Sequence, residues 1–312
     1  MTGRPGSRRL GGPEGTDGAG SLLAHRLEGP RGAGGPPADG VPLLLLNGGL
    51  MSIASWEPVA ARVRERHPVL RCDFRGQLRT PGPAHRELAS NADDLVELLD
   101  RRGLERVHVL GTSFGGLVGL ILAARRPERV ASLVAVTVSD LTTPEMTRKT
   151  RELRRVVAEV LAGADGGRLL DAMVDDIYSA RYRAANRELL AFRSRQIAGL
   201  PAAWFAAVDG ILEAVESFDL RAEAPRVCCP TLVVVAADDS VMPPERGRAL
   251  AAAIPGARLA EHPASGHTLV VEDPEWLARE TLGFLDGLPR AREAAAEAAT
   301  RRTEAAPTGG IV

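Results

Sequence analysis

Gly111-Thr112-Ser113-Phe114-Gly115 is a Gly-x-Ser-x-Gly sequence, and its surroundings decide the fold. It follows the apolar run Val107-His108-Val109-Leu110 and precedes the helical pattern Leu117-Val118-Gly119-Leu120-Ile121-Leu122. Strand, sharp turn and helix in that order present the serine hydroxyl at the carboxyl end of a strand. The turn demands a strained backbone at Ser113, and Gly111, Gly115 and Gly116 leave room for it. Without that context, three fixed positions in five recur by chance. The plain alternative is a glycine-rich strand–helix turn with no chemistry.

Working outward, apolar strand signals alternate with helical ones. Leu22 to Leu27 and Val41 to Leu46 read as strands, the second as one buried on both faces. Ser55 is placed to cap a helix running through Arg66 and ended by Pro68. Val69 to Phe74 reads as the next strand. Leu88, Ala92, Leu95, Val96 and Leu99 then follow helical spacing up to Gly103. A further strand lies near 130–138. Such alternation predicts a mainly parallel sheet covered on both faces, with functional groups at the carboxyl ends of the strands. Between about Leu141 and Arg226 the alternation stops, and charged helical patterns appear. The core pattern resumes at Pro230 and Thr231.

A serine hydroxyl is a weak nucleophile at neutral pH, so it needs a base, and the base needs an orienting acid. Val233 to Ala237 is a buried strand that runs into Asp238-Asp239-Ser240-Val241-Met242-Pro243. Farther on, Pro263-Ala264-Ser265-Gly266-His267-Thr268 places a histidine in a loop of small residues, between a strand-like stretch and a helix starting near Pro274. The order serine, acid, histidine is that of one fold. His267 is the expected base. The acidic turn offers Asp238 and Asp239 as the acid; the plain reading of either is a turn former or a helix cap. Among the other histidines, His25 and His108 fall in predicted strands, His67 and His85 read as surface, and His262 precedes the loop of His267.

Together these segments resemble the α/β-hydrolase superfamily over about residues 21–288, and the family's usual Asp-x-x-x-Pro spacing to Pro243 implies Asp239 as the acid, with Asp238 and Asp140, where a few members supply it, as alternatives. Asn47-Gly48-Gly49-Leu50 stands where members often carry His-Gly, and the resemblance implies an oxyanion hole from the Gly49 and Phe114 N–H groups. One such donor is worth about 3–4 kcal/mol in comparable enzymes. Asp73-Phe74-Arg75-Gly76-Gln77 is similar to the family's Asp-x-Arg-Gly-His/Gln turn, with Asp73 and Arg75 expected to brace the loop. The family commonly inserts a helical cap after the sixth core strand. The implied organisation is a core over 21–140 and 227–288, a cap over 141–226, a disordered tail over 1–20 and a mobile tail over 289–312. Met173, Ile177, Tyr178, Phe192, Trp204, Phe205 and Ile211 are the larger apolar groups of the cap and read as its core, with Trp204 and Phe205 the candidates for substrate contact.

The resemblance implies acyl transfer to water through an acyl-enzyme. Enol-lactonases look nearest, which points to a small-molecule ester or lactone. Thioesterases, C–C hydrolases, acyltransferases and perhydrolases share the same motifs, and a binding protein that retains the three residues without turnover is the other class. Composition adds boundaries. A formal net charge of −1 makes no case for nucleic acid or acidic membranes. The three cysteines, Cys72, Cys228 and Cys229, lack metal-ligand spacing and suggest no disulfide scaffold. Neither metal nor organic cofactor is expected. No run reaches membrane-spanning length, and no leader is visible, so a cytoplasmic location is the default. The sequence sets no oligomeric state.

Overall fold

Leu43 to Leu46 show why the chain layers as it does. All four leucines are buried, and they alternate between two apolar clusters. Leu44 and Leu46 pack with one set of helices, Leu43 and Leu45 with another, because successive side chains of a strand point to opposite faces. This computed structural model describes residues 23–29, 40–80 and 82–288. The tails expected over 1–20 and 289–312 lie outside the described residues.

Seven strands form the sheet: β1 His25–Glu28, β2 Leu43–Leu46, β3 Val69–Cys72, β4 Val107–Thr112, β5 Val130–Val136, β6 Thr231–Ala236 and β7 Arg258–His262. Their spatial order is β1-β3-β2-β4-β5-β6-β7. β1 runs antiparallel to β3, and the other neighbours are parallel. Helices α1 Glu57–Val63, α2 Leu88–Arg101 and α3 Phe114–Arg125 alternate with the first strands. Five helices then separate β5 from β6: α4 Pro144–Leu161, α5 Arg168–Ile177, α6 Ala180–Ala185, α7 Arg187–Ala198 and α8 Ala202–Glu216. After β6 come α9 Pro244–Ala253, α10 Leu269–Glu272 and α11 Pro274–Asp286. One face of the sheet carries α2, α3 and α9; the other carries α1 and α11.

Some expectations change. The helical insertion follows the fifth of the seven described strands. Ser55 does not cap the second helical segment: a 3-10 turn over Ile53–Trp56 begins at Ser52, whose N–H donates to Ser55 Oγ at 3.1 Å, and α1 ends at Val63 rather than Arg66. His67 is buried, not on the surface, and meets His108 edge-on at 6.3 Å between ring centres. Phe192 is half exposed rather than core. Among the described residues, no single helix is long and apolar enough to cross a membrane.

Candidate active site

Ser113 stands between β4 and α3 with φ 52° and ψ −123°, a left-handed conformation that costs a non-glycine residue of order 1–3 kcal/mol. The Ser113 N–H donates to Val136 O at 2.9 Å, which fixes the turn against β5. The flanking glycines are required by contact. A Cβ on Gly115 would collide with the Leu46 carbonyl, and one on Gly111 with the Gly115 carbonyl. Backbone atoms cannot step aside as a flexible side chain can. Thr137, at the end of β5, also has positive φ (48°). Its hydroxyl lies 3.3 Å from that of Thr112, the residue before Ser113. Strain therefore gathers around one point of the sheet edge.

The loops after β6 and β7 bring the other two residues to this point. His267 Nε2 is 2.8 Å from Ser113 Oγ. His267 Nδ1 is 2.9 Å from Asp239 Oδ2. A carboxylate only accepts, so Nδ1 carries the proton and Nε2 turns its lone pair toward the serine hydroxyl. Asp239 Oδ1 accepts from the N–H groups of Val241 and Met242, both at 2.9 Å, so the buried carboxylate has a single orientation. The alternatives for the acid lie elsewhere. Asp238 is exposed to solvent. Asp140 is held by the Arg246 guanidinium, with Nε to Oδ1 at 2.8 Å. Among the described residues, no group of His, Cys, Asp and Glu is arranged to hold a metal ion.

The loop after β2 is braced from beneath. Asp73 Oδ1 accepts from Asn47 Nδ2 at 2.9 Å and from the Ile53 N–H at 2.6 Å, and Oδ2 accepts from the Arg79 N–H at 3.0 Å. Burial pushes the Asp73 carboxyl above its ordinary range, while those donors pull the other way. Asn47 Nδ2 also reaches Gln77 Oε1 at 2.9 Å, and Gln77 Nε2 donates to the Gly48 and Gly49 carbonyls at 2.9 and 3.3 Å. The Gly48 carbonyl shares its peptide with the Gly49 N–H, so its bond to Gln77 orients that N–H. Gly49 and Phe114 both line the cavity above Ser113. Neither of their N–H groups is a donor in the described hydrogen bonds. Arg75 pairs with Asp94, Nε to Oδ2 at 2.6 Å, and does not line the cavity.

The cavity has a volume of about 180 Å³ and is roofed by α4, α5 and α8. Met173, Ile177 and Ile211 line it, although their sequence context read as cap interior. Trp204 and Phe205 do not line it. They lie one to two turns earlier on α8 and pack edge to face, with centres 5.0 Å apart, against Val157 and Leu169. The α8 residues that reach the cavity are Val208, Ile211, Leu212 and Val215, one helical face, while the aromatic pair closes the far side of the roof.

The roof and the loops of Asp239 and His267 are joined by polar contacts that no sequence pattern announced. Thr268, next to His267, donates through N and Oγ1 to Ile177 O, both at 3.0 Å. Glu272 accepts from the Ser179 N–H at 2.9 Å, Ser179 Oγ at 2.5 Å and the Gly266 N–H at 3.1 Å. Ser240, next to Asp239, donates to Asp176 Oδ1 at 2.8 Å. Residues 176–179 of the roof thus hold both loops. Only Gln77 had a signal in sequence, its place in the Asp-x-Arg-Gly-Gln turn; Glu272 reads as an ordinary acid near a helix start.

Residues 41–274 match the sequence profile of the alpha/beta hydrolase fold. The chain belongs to this family. Relatives within it include a protein named "Putative carbamate hydrolase RutD" in Pseudomonas savastanoi, 32% identical over 251 residues that cover 78% of this chain and 94% of the relative. The protein of the same name in Stutzerimonas stutzeri is 34% identical over 239 residues, covering 75% and 88%. Among solved structures, the enol-lactonase of Burkholderia xenovorans is similar with a TM-score of 0.71 and 28% identity, covering 85% of this chain and 96% of that one. The sheet with its flanking helices is that of an alpha/beta hydrolase, and the family and its relatives make the chain a hydrolase.

Proposed function

We propose that the protein is a serine hydrolase that opens an ester or lactone bond of a small molecule through an acyl-enzyme. The observation that carries this reading is the continuous chain of contacts from Ser113 Oγ to His267 Nε2 and from His267 Nδ1 to Asp239 Oδ2, at 2.8 and 2.9 Å. In the reaction, His267 takes the hydroxyl proton as Ser113 attacks the substrate carbonyl. The N–H groups of Gly49 and Phe114 receive the developing oxyanion, supported by the Gln77 brace. His267 then protonates the leaving oxygen. Water, deprotonated by the same imidazole, attacks the acyl-enzyme and releases the acid, regenerating Ser113. Residues 141–226 act as a cap that roofs the acyl site.

The name shared by the curated relatives gives a second reading, hydrolysis of a carbamate. The same three residues serve it, because a carbamate carbonyl is attacked in the same way and the difference lies in the group expelled. The test is treatment with a fluorophosphonate probe and mapping of the adduct, followed by parallel screening of esters, lactones and carbamates. The proposal expects one adduct, on Ser113, which disappears in His267→Ala, together with multiple turnover of at least one ester or lactone. Turnover confined to carbamates would replace the ester reading. Absence of both adduct and turnover on folded protein would leave a binding protein.

A further inference from the structure

Four of the chain's five methionines, Met51, Met146, Met173 and Met242, line the cavity above Ser113; the fifth is Met1. They arrive from four separate places: the loop after β2, α4, α5 and the loop after β6. Val208, Ile211, Leu212 and Val215 of α8 add an apolar face to the wall. Chance placement of all the internal methionines at one cavity is improbable in a chain this long. A methionine side chain is unbranched and polarizable, so it follows the shape of an apolar guest at little cost.

Among the described residues, the Lys, Arg, Asp and Glu side chains on this wall are Lys149 and Asp176. Lys149 is the single lysine among the 39 Lys and Arg residues of the chain. Its Nζ donates to Asp176 Oδ1 at 2.7 Å and to Ser240 O at 3.0 Å, and Ser240 Oγ donates to the same Oδ1 at 2.8 Å. The two side chains are 24% and 36% exposed, so the pair stands where the wall meets solvent. Its charges cancel. Among the described residues, no unpaired cation is left on the wall to receive an anionic substrate group, and burying such a group unpaired is costly.

The size of the guest follows from the volume. A cavity of about 150 Å³ holds one benzene molecule, and this one measures about 180 Å³. We propose that the cavity holds an uncharged aliphatic group of about six carbons attached to the scissile carbonyl. This rests on the serine-hydrolase reading for the chemistry, but the chemistry of the guest is set by the wall alone.

The test is a series of 4-nitrophenyl acyl esters, acetate to decanoate, set beside the mono-4-nitrophenyl ester of adipic acid. The adipate matches hexanoate in chain length but ends in a carboxylate. Expected is a rise in kcat/KM of about fourfold for each methylene up to hexanoate, no gain past octanoate, and a value for the adipate ester at least about fiftyfold below hexanoate. Asp176→Asn leaves the Lys149 charge unpaired and should raise the adipate-to-hexanoate ratio about tenfold or more. Acetate as the best substrate, or adipate preferred by the unaltered enzyme, overturns the inference. A binding measurement separates it from the reaction. By calorimetry, Ser113→Ala should bind hexanamide and not adipamate, the carboxylate-ended amide of the same length. If no ester turns over yet this preference appears, the serine-hydrolase reading fails and the inference stands. If hexanamide does not bind, the inference fails whatever the chemistry.

Discussion

Replacing Glu272 by alanine tests whether the roof helps to position His267, the proposed catalytic base. The Glu272 carboxylate is the acceptor for the N–H groups of Gly266 and Ser179, at 3.1 and 2.9 Å, and for the Ser179 hydroxyl at 2.5 Å. Gly266 directly precedes His267, and both Gly266 and Ser179 are buried. A buried donor left without an acceptor costs about 1–3 kcal/mol. Water entering the space of the lost side chain recovers part of this, so the two N–H groups together should cost about 2–4 kcal/mol. For a domain of this size that lowers Tm by about 4–8 °C. Thr268 remains tied to Ile177 O, so the loop shifts without detaching. A displacement of His267 by a fraction of an ångström should lower kcat about tenfold while leaving KM within about twofold. Glu272→Gln separates positioning from charge. Its amide oxygen can still accept from both N–H groups, and the Ser179 hydroxyl can turn to accept from the new NH2, so kcat and Tm should return nearly to their original values. Scanning calorimetry and ester turnover read both quantities. If Glu272→Ala loses stability but keeps full kcat, the contact is structural only and the positioning argument is refuted.

Asp239→Asn removes the acceptor that sets the His267 tautomer and should lower kcat by about four orders of magnitude. Asp140→Asn, which disturbs only the pair with Arg246, should leave kcat within about threefold and lower stability by no more than about 1–2 kcal/mol; a reversal of these two results would move the acid to Asp140. Asp73→Asn turns an NH2 toward either the Ile53 or the Arg79 N–H and should cost about 2–3 kcal/mol in a denaturant titration, because two donors then face each other in a buried site. Gly115→Ala forces a methyl against the Leu46 carbonyl, and either soluble expression or fluorophosphonate labelling should collapse; normal labelling would contradict the packing of the turn.

Much of the sheet was legible because its signals are local. An apolar run between turns is a buried strand wherever it finds neighbours, and Val107 to Leu110, Val69 to Cys72 and Thr231 to Ala236 needed no partner to be recognised. The Ser113 turn was legible for the same reason, since the glycines that permit it are adjacent to it. Ser113, Asp239 and His267 could be picked out by order along the chain, but order carries no distance. Only folding sets His267 2.8 Å from Ser113, across 154 positions of sequence.

What the sequence could not supply is which side of an element faces which neighbour once helices pack on helices. Trp204 and Phe205 have the size and context of a pocket lining, yet α8 turns them toward Val157 and Leu169 and presents Val208, Ile211 and Leu212 instead. All of these residues are apolar, so burial alone does not distinguish roof from wall. The gathering of four methionines, the self-neutralised pair of Lys149 and Asp176, and the hold of Glu272 on the His267 loop are likewise properties of long-range contact. By itself the sequence determined the strands, the strained serine turn and the order of the polar residues, because each depends on neighbours a few positions away. The tertiary structure alone decided the shape and polarity of the cavity, because these depend on how α4, α5 and α8 are rotated over the sheet edge.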